Sequence, residues 1–222
     1  MTAFVVRSST GSAAAFHARS LHDDVAPEVW SFAVDRPAVV IGSGQRPDDV
    51  VDLAACAAAG VEVVRRRSGG GVVLLEPGSV AWFDVVVPAA HLRAADVGDD
   101  VAASMTWLGW HVASALAALG VEGAEVHRGG MTCSDWCPLV CFAGIGPGEV
   151  LVDGTKLVGI SQRRSRPGSR FQCAVHTAWR PAALVALLRA DVPVAALPPV
   201  AEVPAAVAAA LPEAVAAALS AR

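Results

Sequence analysis

Three arginines, a serine and three glycines in a row, Arg65-Arg66-Arg67-Ser68-Gly69-Gly70-Gly71, stand between two apolar runs. This junction constrains the chain more than any other segment. Val61 to Val64 reads as a β-branched strand entering it, and Val72 to Leu75 as a strand leaving it. Consecutive glycines allow positive φ and let the backbone lie close to a ligand. The guanidinium groups offer donors and charge for a phosphate, carboxylate or carbonyl oxygen. The spacing matches neither the phosphate-cradling G-x-x-x-x-G-K-[ST] loop nor a dinucleotide fingerprint. Taken alone, the same residues also fit a flexible turn beside a solvated basic patch.

Strand and helix signals alternate around this junction. Ala38 to Ile41 reads as a strand ending at Gly42-Ser43-Gly44, and Pro47 to Ala59 as a helix with Pro47 in its first turn and Gly60 as its stop. Val72 to Leu75 and Val80 to Val87 read as two strands around a turn at Glu76-Pro77-Gly78. From Asp99 to Leu119, Val101, Met105, Leu108, Val112, Leu116 and Leu119 fall at helical spacing, with Gly120 as the stop. Glu149 to Val152 and Lys156 to Gln162 read as a hairpin about Asp153-Gly154, followed by a strand from Phe171 to Val175. The chain from Pro181 onward is Ala-rich and helix-prone. Strands dominate the middle and helices flank them, so the fold class is α+β, a mixed sheet with packed helices. The division expected is a catalytic domain over 1–185 and an Ala-rich helical appendage over 186–222.

Composition excludes several classes of function. The chain has 222 residues, 54% of them hydrophobic and 17% charged, enough apolar material for one domain core. A net charge of −4 does not favour a nucleic-acid partner, because a phosphate backbone rewards basic surfaces. Met1 to Val6 lacks signal-peptide architecture, and no apolar run reaches the ~20 residues of a bilayer span, so a cytoplasmic location without membrane attachment is expected. In that compartment Cys56, Cys133, Cys137, Cys141 and Cys173 are expected to be reduced. Cys133, Cys137 and Cys141 recur every four residues. Pro138 disfavours a regular helix through them and no His/Cys pair completes a tetrahedral set, so no metal is assigned.

Lys156 is the only lysine; the other sixteen of the seventeen basic residues are arginines. A lysine just past an Asp-Gly turn is ordinarily an exposed hairpin charge. A compact ammonium can instead reach a single oxygen in a narrow site and stabilise charge developing on an acyl carbonyl.

The loop from Gly60 to Val73 resembles the signature loop of lipoate–protein ligase A and its octanoyl- and lipoyltransferase relatives, in which Arg-Arg-x-Ser-Gly-Gly-Gly closes over the acyl substrate. Val39-Val40-Ile41-Gly42 followed by Gln45 resembles the strand and turn that precede it. Val152 to Arg164 resembles the family's Asp-Gly-x-Lys-(apolar)₂-Gly segment, which carries an essential lysine. The two matches span roughly residues 38 to 180. Two segments depart from the pattern: Leu74-Leu75-Glu76 stands where many members have Tyr-His-Asp, and Thr177 replaces a glycine after His176. The resemblance implies the fold shared by biotin protein ligases and class II aminoacyl-tRNA synthetases, with an acyl tunnel. It also implies catalytic roles for Lys156 and Cys141. The implied substrate-binding set is Arg65, Arg66, Arg67, Ser68, Gly69, Gly70, Gly71, Gly159, Ser161, Gln162 and His176.

Cys141-Phe142 lies fifteen residues before Lys156 and resembles a Cys-Phe pair at a very similar distance before the lysine of octanoyltransferases whose thiol forms an acyl-enzyme thioester. Cys137-Pro138 is a rival, since related amidotransferases carry Cys-Pro-Gly, while Cys173 and Cys56 read as core positions. His127 and Arg128 read as surface or rim residues. Burying an octanoyl chain, at ~0.8 kcal/mol per CH₂, could contribute roughly 5 kcal/mol to recognition. The leading expectation is transfer of an octanoyl or lipoyl group through Cys141 to a lysine of a lipoyl carrier domain, such as glycine cleavage H protein or a 2-oxoacid dehydrogenase subunit. The donor could be acyl carrier protein, and no cofactor is permanently bound. An ATP- and Mg-dependent ligase and a non-catalytic acyl- or carrier-binding relative remain open. A biotin ligase is disfavoured because no Gly-Arg-Gly-Arg loop is present.

Overall fold

The computed structural model describes residues 3–98 and 100–221. In chain order its elements begin with β1 (Val5–Gly11), α1 (Ala13–Ala18), β2 (Glu28–Val34), β3 (Ala38–Ile41), α2 (Pro47–Val50), α3 (Leu53–Ala58), β4 (Glu62–Arg65), β5 (Val73–Leu75) and β6 (Val80–Pro88). They continue with α4 (Ala89–Ala94), α5 (Val101–Ala118), β7 (Ala124–Val126), β8 (Thr132–Cys133), β9 (Gly144–Ile145), β10 (Val150–Val152), β11 (Thr155–Arg164), β12 (Gly168–His176), α6 (Pro181–Val185) and α7 (Ala205–Ser220).

A seven-stranded mixed sheet runs β1-β2-β6-β12-β11-β10-β7, and a three-stranded sheet, β4-β3-β5, lies across it. Helices α5 and α7 cover one face of the large sheet, burying Leu108, Val112, Leu116, Leu211 and Val215 with Phe83 and Phe171 in one apolar cluster. A second cluster backs the small sheet, around Val39, Ile41, Leu74, Val140 and Leu184. A third, containing Phe16, Phe32, Trp82 and Val40, ties the two sheets together. The expected mixed sheet with flanking helices is therefore present.

Several local expectations are corrected. Residues 47–59 form two short helices, because Val51 leaves the helix to bridge Leu188 while Asp52 starts a new turn by accepting from the N–H groups of Ala54 and Ala55. β5 and β6 do not pair with each other: β5 runs antiparallel to β3, and β6 sits between β2 and β12. The helix read from Asp99 begins at Val101 with Asp100 as its cap; Asp99, like Met1, Thr2 and Arg222, lies outside the described residues. The appendage reading of the tail is also corrected, since α7 packs into the main core with Leu211 and Val215 fully buried. The Asp153-Gly154 hairpin is as expected, with φ of 50° and 72° supplying the double positive-φ turn. No helix among the described residues is long and apolar enough to cross a membrane.

Candidate functional site

Cross-strand register builds the floor of the site. Trp82, Ala174 and Gly159 align across β6, β12 and β11, and the next row on the same face is Asp84, Gln172 and Ser161. Side chains two residues apart share a face, so the first row is apolar and the second polar. The small sheet and the glycine loop roof this floor. Between them lies an open cleft of about 440 Å³, walled by Val40, Val73, Leu75, Trp82, Phe142 and Cys173. Leu75 makes this wall apolar.

The glycine loop is held from beneath. Arg66, 5% exposed, donates to the carbonyls of Gly69, Gly71 and Val40. Burial lowers its pKa from the ordinary guanidinium value, and the neighbouring Cys141 opposes that shift. Gln45 accepts from Gly42 N–H at 2.9 Å and donates to the carbonyls of Pro138 and Leu139, joining the end of β3 to the Cys141 segment. Val72 and Cys141 complete the seam by exchanging bonds with the opposite strand: Val72 N–H donates to Leu139 O at 2.7 Å and Cys141 N–H to Val72 O at 3.0 Å.

The other loop residues do not share one role. Arg65 is exposed and donates to Ser43 O, and Arg67 is exposed and donates to Ser20 Oγ. Neither lines the cleft. Of the three arginines expected at the substrate, only Arg66 is placed at the cleft, because alternation along the chain sends Arg65 and Arg67 outward when Arg66 turns in. Ser68 is buried and donates to Gln172 Oε1 at 2.7 Å while accepting from Ser161 Oγ at 3.0 Å. Gln172 in turn contacts His17 Nδ1 at 3.1 Å. Burial and the positive charge of Arg170 and Arg66 push the His17 pKa down to about 3, so this ring is neutral.

Lys156 is 3% exposed, not a solvated hairpin charge. Its ammonium donates to Cys141 O at 3.1 Å and Gly144 O at 2.9 Å, and pairs with Glu149 Oε2 at 2.7 Å. It also lies 4.8 Å from the centre of the Phe142 ring. Gly159 makes this packing possible, since a Cβ there would come within 3.0 Å of Phe142 Cζ and 3.3 Å of Lys156 Cε. Lys156, Glu149, Gly69, Gly70, Gly71 and Gln162 line a second cavity, open to solvent, of about 280 Å³, and Cys141, Ile160 and Ser161 border both spaces. Gln162 accepts from Ser104 Oγ and donates to Ser169 Oγ.

Cys141 therefore stands at the junction of an apolar cleft and a cavity holding the only lysine. The expectation of reduced thiols is corrected for Cys133 and Cys137, which form a disulfide across Cα atoms 5.3 Å apart, a separation a bridge spans readily. Cys137 is then no competing nucleophile in this state. Cys56 and Cys173 are free but buried, and burial raises both thiol pKa values. Of the two free cysteines that line the cleft, Cys173 is fully buried, and Cys141 alone also borders the second cavity among the described residues.

His176 does not join these groups. It is 3% exposed, lies behind Phe142 and Trp179 at ring-centre distances of 4.6 and 4.8 Å, and neither ring nitrogen has a hydrogen-bond partner among the described residues. Burial and the Lys156 charge push its pKa down to about 4. His127 bonds Gly130 O and Arg128 stacks on Trp110, both away from the clefts. Sequence reasoning read Glu149 only as a strand start and did not single out His17, Trp82 or Gln172. Glu149 carried a usable signal, an acid entering an apolar strand beside the lone lysine, whereas His17 is brought in by an N-terminal helix with no local motif.

The model of the lipoyl protein ligase A/B catalytic domain matches residues 14–215. The chain belongs to that family. Within it, the chain is 30% identical over 145 residues to octanoyltransferase LipM of Carboxydothermus hydrogenoformans, covering 65% of this chain and 51% of that protein. It thus spans about half the length of that curated relative. Two solved structures share the fold. Lipoate-protein ligase A bound with ATP superimposes with a TM-score of 0.65 at 20% identity, over 90% of this chain and 75% of that one. Protein Ta0514 of T. acidophilum with bound lipoic acid also gives 0.65, at 19% identity, over 90% and 76%.

Proposed function

We propose that this lipoyl protein ligase A/B domain transfers an octanoyl or lipoyl group from a thioester donor to a lysine of a lipoyl carrier domain, by way of a thioester on Cys141. The observation that carries this reading is the position of the free Cys141 thiol, open both to the apolar cleft and to the cavity lined by Lys156. The cleft would take the acyl chain. The Cys141 sulfur would bond to the acyl carbon, the donor's carbon–sulfur bond would break, and the donor would leave as a thiol. The carrier lysine amine would then take the acyl group, forming an amide and restoring the Cys141 thiol. Both steps start from a thioester, so no ATP is consumed.

The charge inventory favours a thioester over a nucleotide. Arg66 and Lys156 are the cations lining the two spaces, and both are engaged with protein acceptors. Glu149 adds a buried anion, and His17 is neutral. A triphosphate would meet no uncommitted positive charge there, and a buried charge needs a partner. The test supplies a lipoyl carrier domain with octanoyl-acyl carrier protein, or with octanoate, ATP and Mg²⁺. Octanoyl-lysine is expected from the first mixture only, and is lost with Cys141→Ser. ATP-dependent modification that survives Cys141→Ser would instead establish a ligase.

A further inference from the structure

We propose that the peptide N–H groups of Gly70 and Gly71, and not the Lys156 ammonium, take up the charge that grows on the acyl carbonyl oxygen, while Glu149 and Lys156 act together as positioning residues for Cys141. The inference rests on the thioester reading above and reassigns roles within it.

An ammonium has three N–H bonds, and Lys156 has three acceptors in place: Cys141 O, Gly144 O and Glu149 Oε2. The two carbonyls flank the short 3₁₀ turn Cys141–Ala143, so the lysine clamps both ends of the turn that presents the thiol. Glu149 is fixed in its own right. Its Oε2 accepts from Gly146 N–H at 2.8 Å and its Oε1 from Ile160 N–H at 3.1 Å. Swinging the ammonium to a substrate oxygen would leave a carboxylate that is 5% exposed without its counter-ion, a costly arrangement.

The glycine loop has donors to spare. Ser68 O accepts from Ser43 N–H, Gly69 O and Gly71 O accept from Arg66, and Gly70 O lies against Gly42, where an added Cβ would be 1.9 Å away. In a trans peptide the N–H points opposite the preceding carbonyl. The amides of Gly69, Gly70 and Gly71 therefore point away from Ser43, Arg66 and Gly42, toward the cavity that these three glycines line. Among the described residues none of the three has an acceptor, whereas the next amide, Val72, donates to Leu139 O. Gly70 also stands beside the thiol, since a Cβ built on it would lie 3.7 Å from Cys141 Sγ. Successive unpaired amides beside a nucleophile form a concavity for an anion. When the sulfur bonds the acyl carbon, the carbonyl electron pair moves onto oxygen beneath these amides. It returns as the donor sulfur leaves with the proton lost from Cys141.

The test compares two reactions of one thiol at the alkaline rate plateau, where the thiol is fully ionised. Iodoacetamide alkylates Cys141 by displacing iodide and places no charge on a carbonyl oxygen, whereas octanoyl-N-acetylcysteamine acylates it through an oxyanion. In Lys156→Met and in Glu149→Gln of the full chain, both rates should fall by the same factor. A loss of about 10²-fold or more in acylation alone, the size of a missing oxyanion donor, would overturn the assignment. Lys156→Met leaves Glu149 unpaired and can unfold, so the double variant Lys156→Met/Glu149→Gln carries the same comparison. Octanal, which adds to Cys141 as a hemithioacetal, should move the amide proton resonances of Gly70 and Gly71 downfield. Unmoved resonances with the adduct formed would also overturn the proposal. If thioesters fail to acylate Cys141, the transferase reading fails, while the octanal measurement still judges the loop.

Discussion

The bare α-carbon of Gly71 faces the backbone of Cys141 so closely that an added Cβ would lie 2.7 Å from Cys141 N. The third glycine of the loop thus sets how near the roof of the site approaches the nucleophile. The obstructing atoms are backbone, held by the Val72–Leu139 and Cys141–Val72 bonds, and cannot rotate aside. Gly71→Ala should force the two segments apart, costing about 1–3 kcal/mol of stability as overpacking does. Acylation of Cys141 should fall by a larger factor than unfolding of the population explains. Denaturant melts beside single-turnover acylation rates check both.

Arg66 is expected to be irreplaceable by lysine. Its fork bonds the carbonyls of Gly69, Gly71 and Val40, a span that a single ammonium does not cover. Arg66→Lys should cost about 2–4 kcal/mol, since hydrogen bonds to charged groups contribute roughly 1.5–3 kcal/mol each and buried carbonyls would be left unpaired. Amide exchange should quicken at residues 68–72 before it quickens in β6 or β12.

Stability should fall on acidification from about pH 6.5 toward pH 4. His176, held at about 4, and His17, held at about 3, stay neutral in the fold but take a proton near 6.5 when unfolded. Each lowered pKa contributes stability that is complete above 6.5 and lost as the pH drops through the folded value. Asp84 works the other way. Burial raises its pKa to about 6 against the pull of Arg170, so its contribution is present below the unfolded value and lost as pH rises through 6, offsetting one histidine. His176→Phe keeps the aromatic packing and removes two unpaired ring nitrogens. It should stabilise the protein at pH 7 by about 1–3 kcal/mol. It should also reduce the loss between pH 6.5 and 4 by on the order of 3 kcal/mol. Urea melts at both pH values measure the difference.

Acyl length should be set by the floor of the cleft. Ala174 lines it in the row between Trp82 and Gly159. Ala174→Leu adds three carbons to an apolar space, so octanoyl thioesters should lose on the order of tenfold or more in kcat/KM while a butanoyl thioester is nearly unaffected. One methylene in such a pocket is typically worth about 1–3 kcal/mol.

Much of the site was legible because its parts are local. The loop from Arg65 to Gly71 and the turn at Asp153-Gly154 declare themselves by glycine content, and Lys156 by being alone. What stayed hidden was direction and distance. Charge alone could not say that Arg66 turns inward while Arg65 and Arg67 face out, since that depends on pairing of β4 with β3. His17 meets Gln172 across 155 positions through the packing of α1, for which neither residue carries a motif. The Cys133–Cys137 bridge ran against the compartment argument because short-range geometry, not redox context, brings those two residues together. The break between α2 and α3 depends on Leu188, far along the chain, which pulls Val51 out of a helical repeat.

The transferase mechanism turns on whether an acyl group rests on Cys141. Brief incubation of the full chain with octanoyl-acyl carrier protein, acid quench and peptide mapping by mass spectrometry address this directly. The expected result is one octanoyl adduct on the Cys141 peptide, labile to hydroxylamine, absent from Cys141→Ser and discharged on adding a lipoyl carrier domain. Octanoylation of the carrier at an undiminished rate by Cys141→Ser, with no adduct on the wild-type thiol, would contradict it.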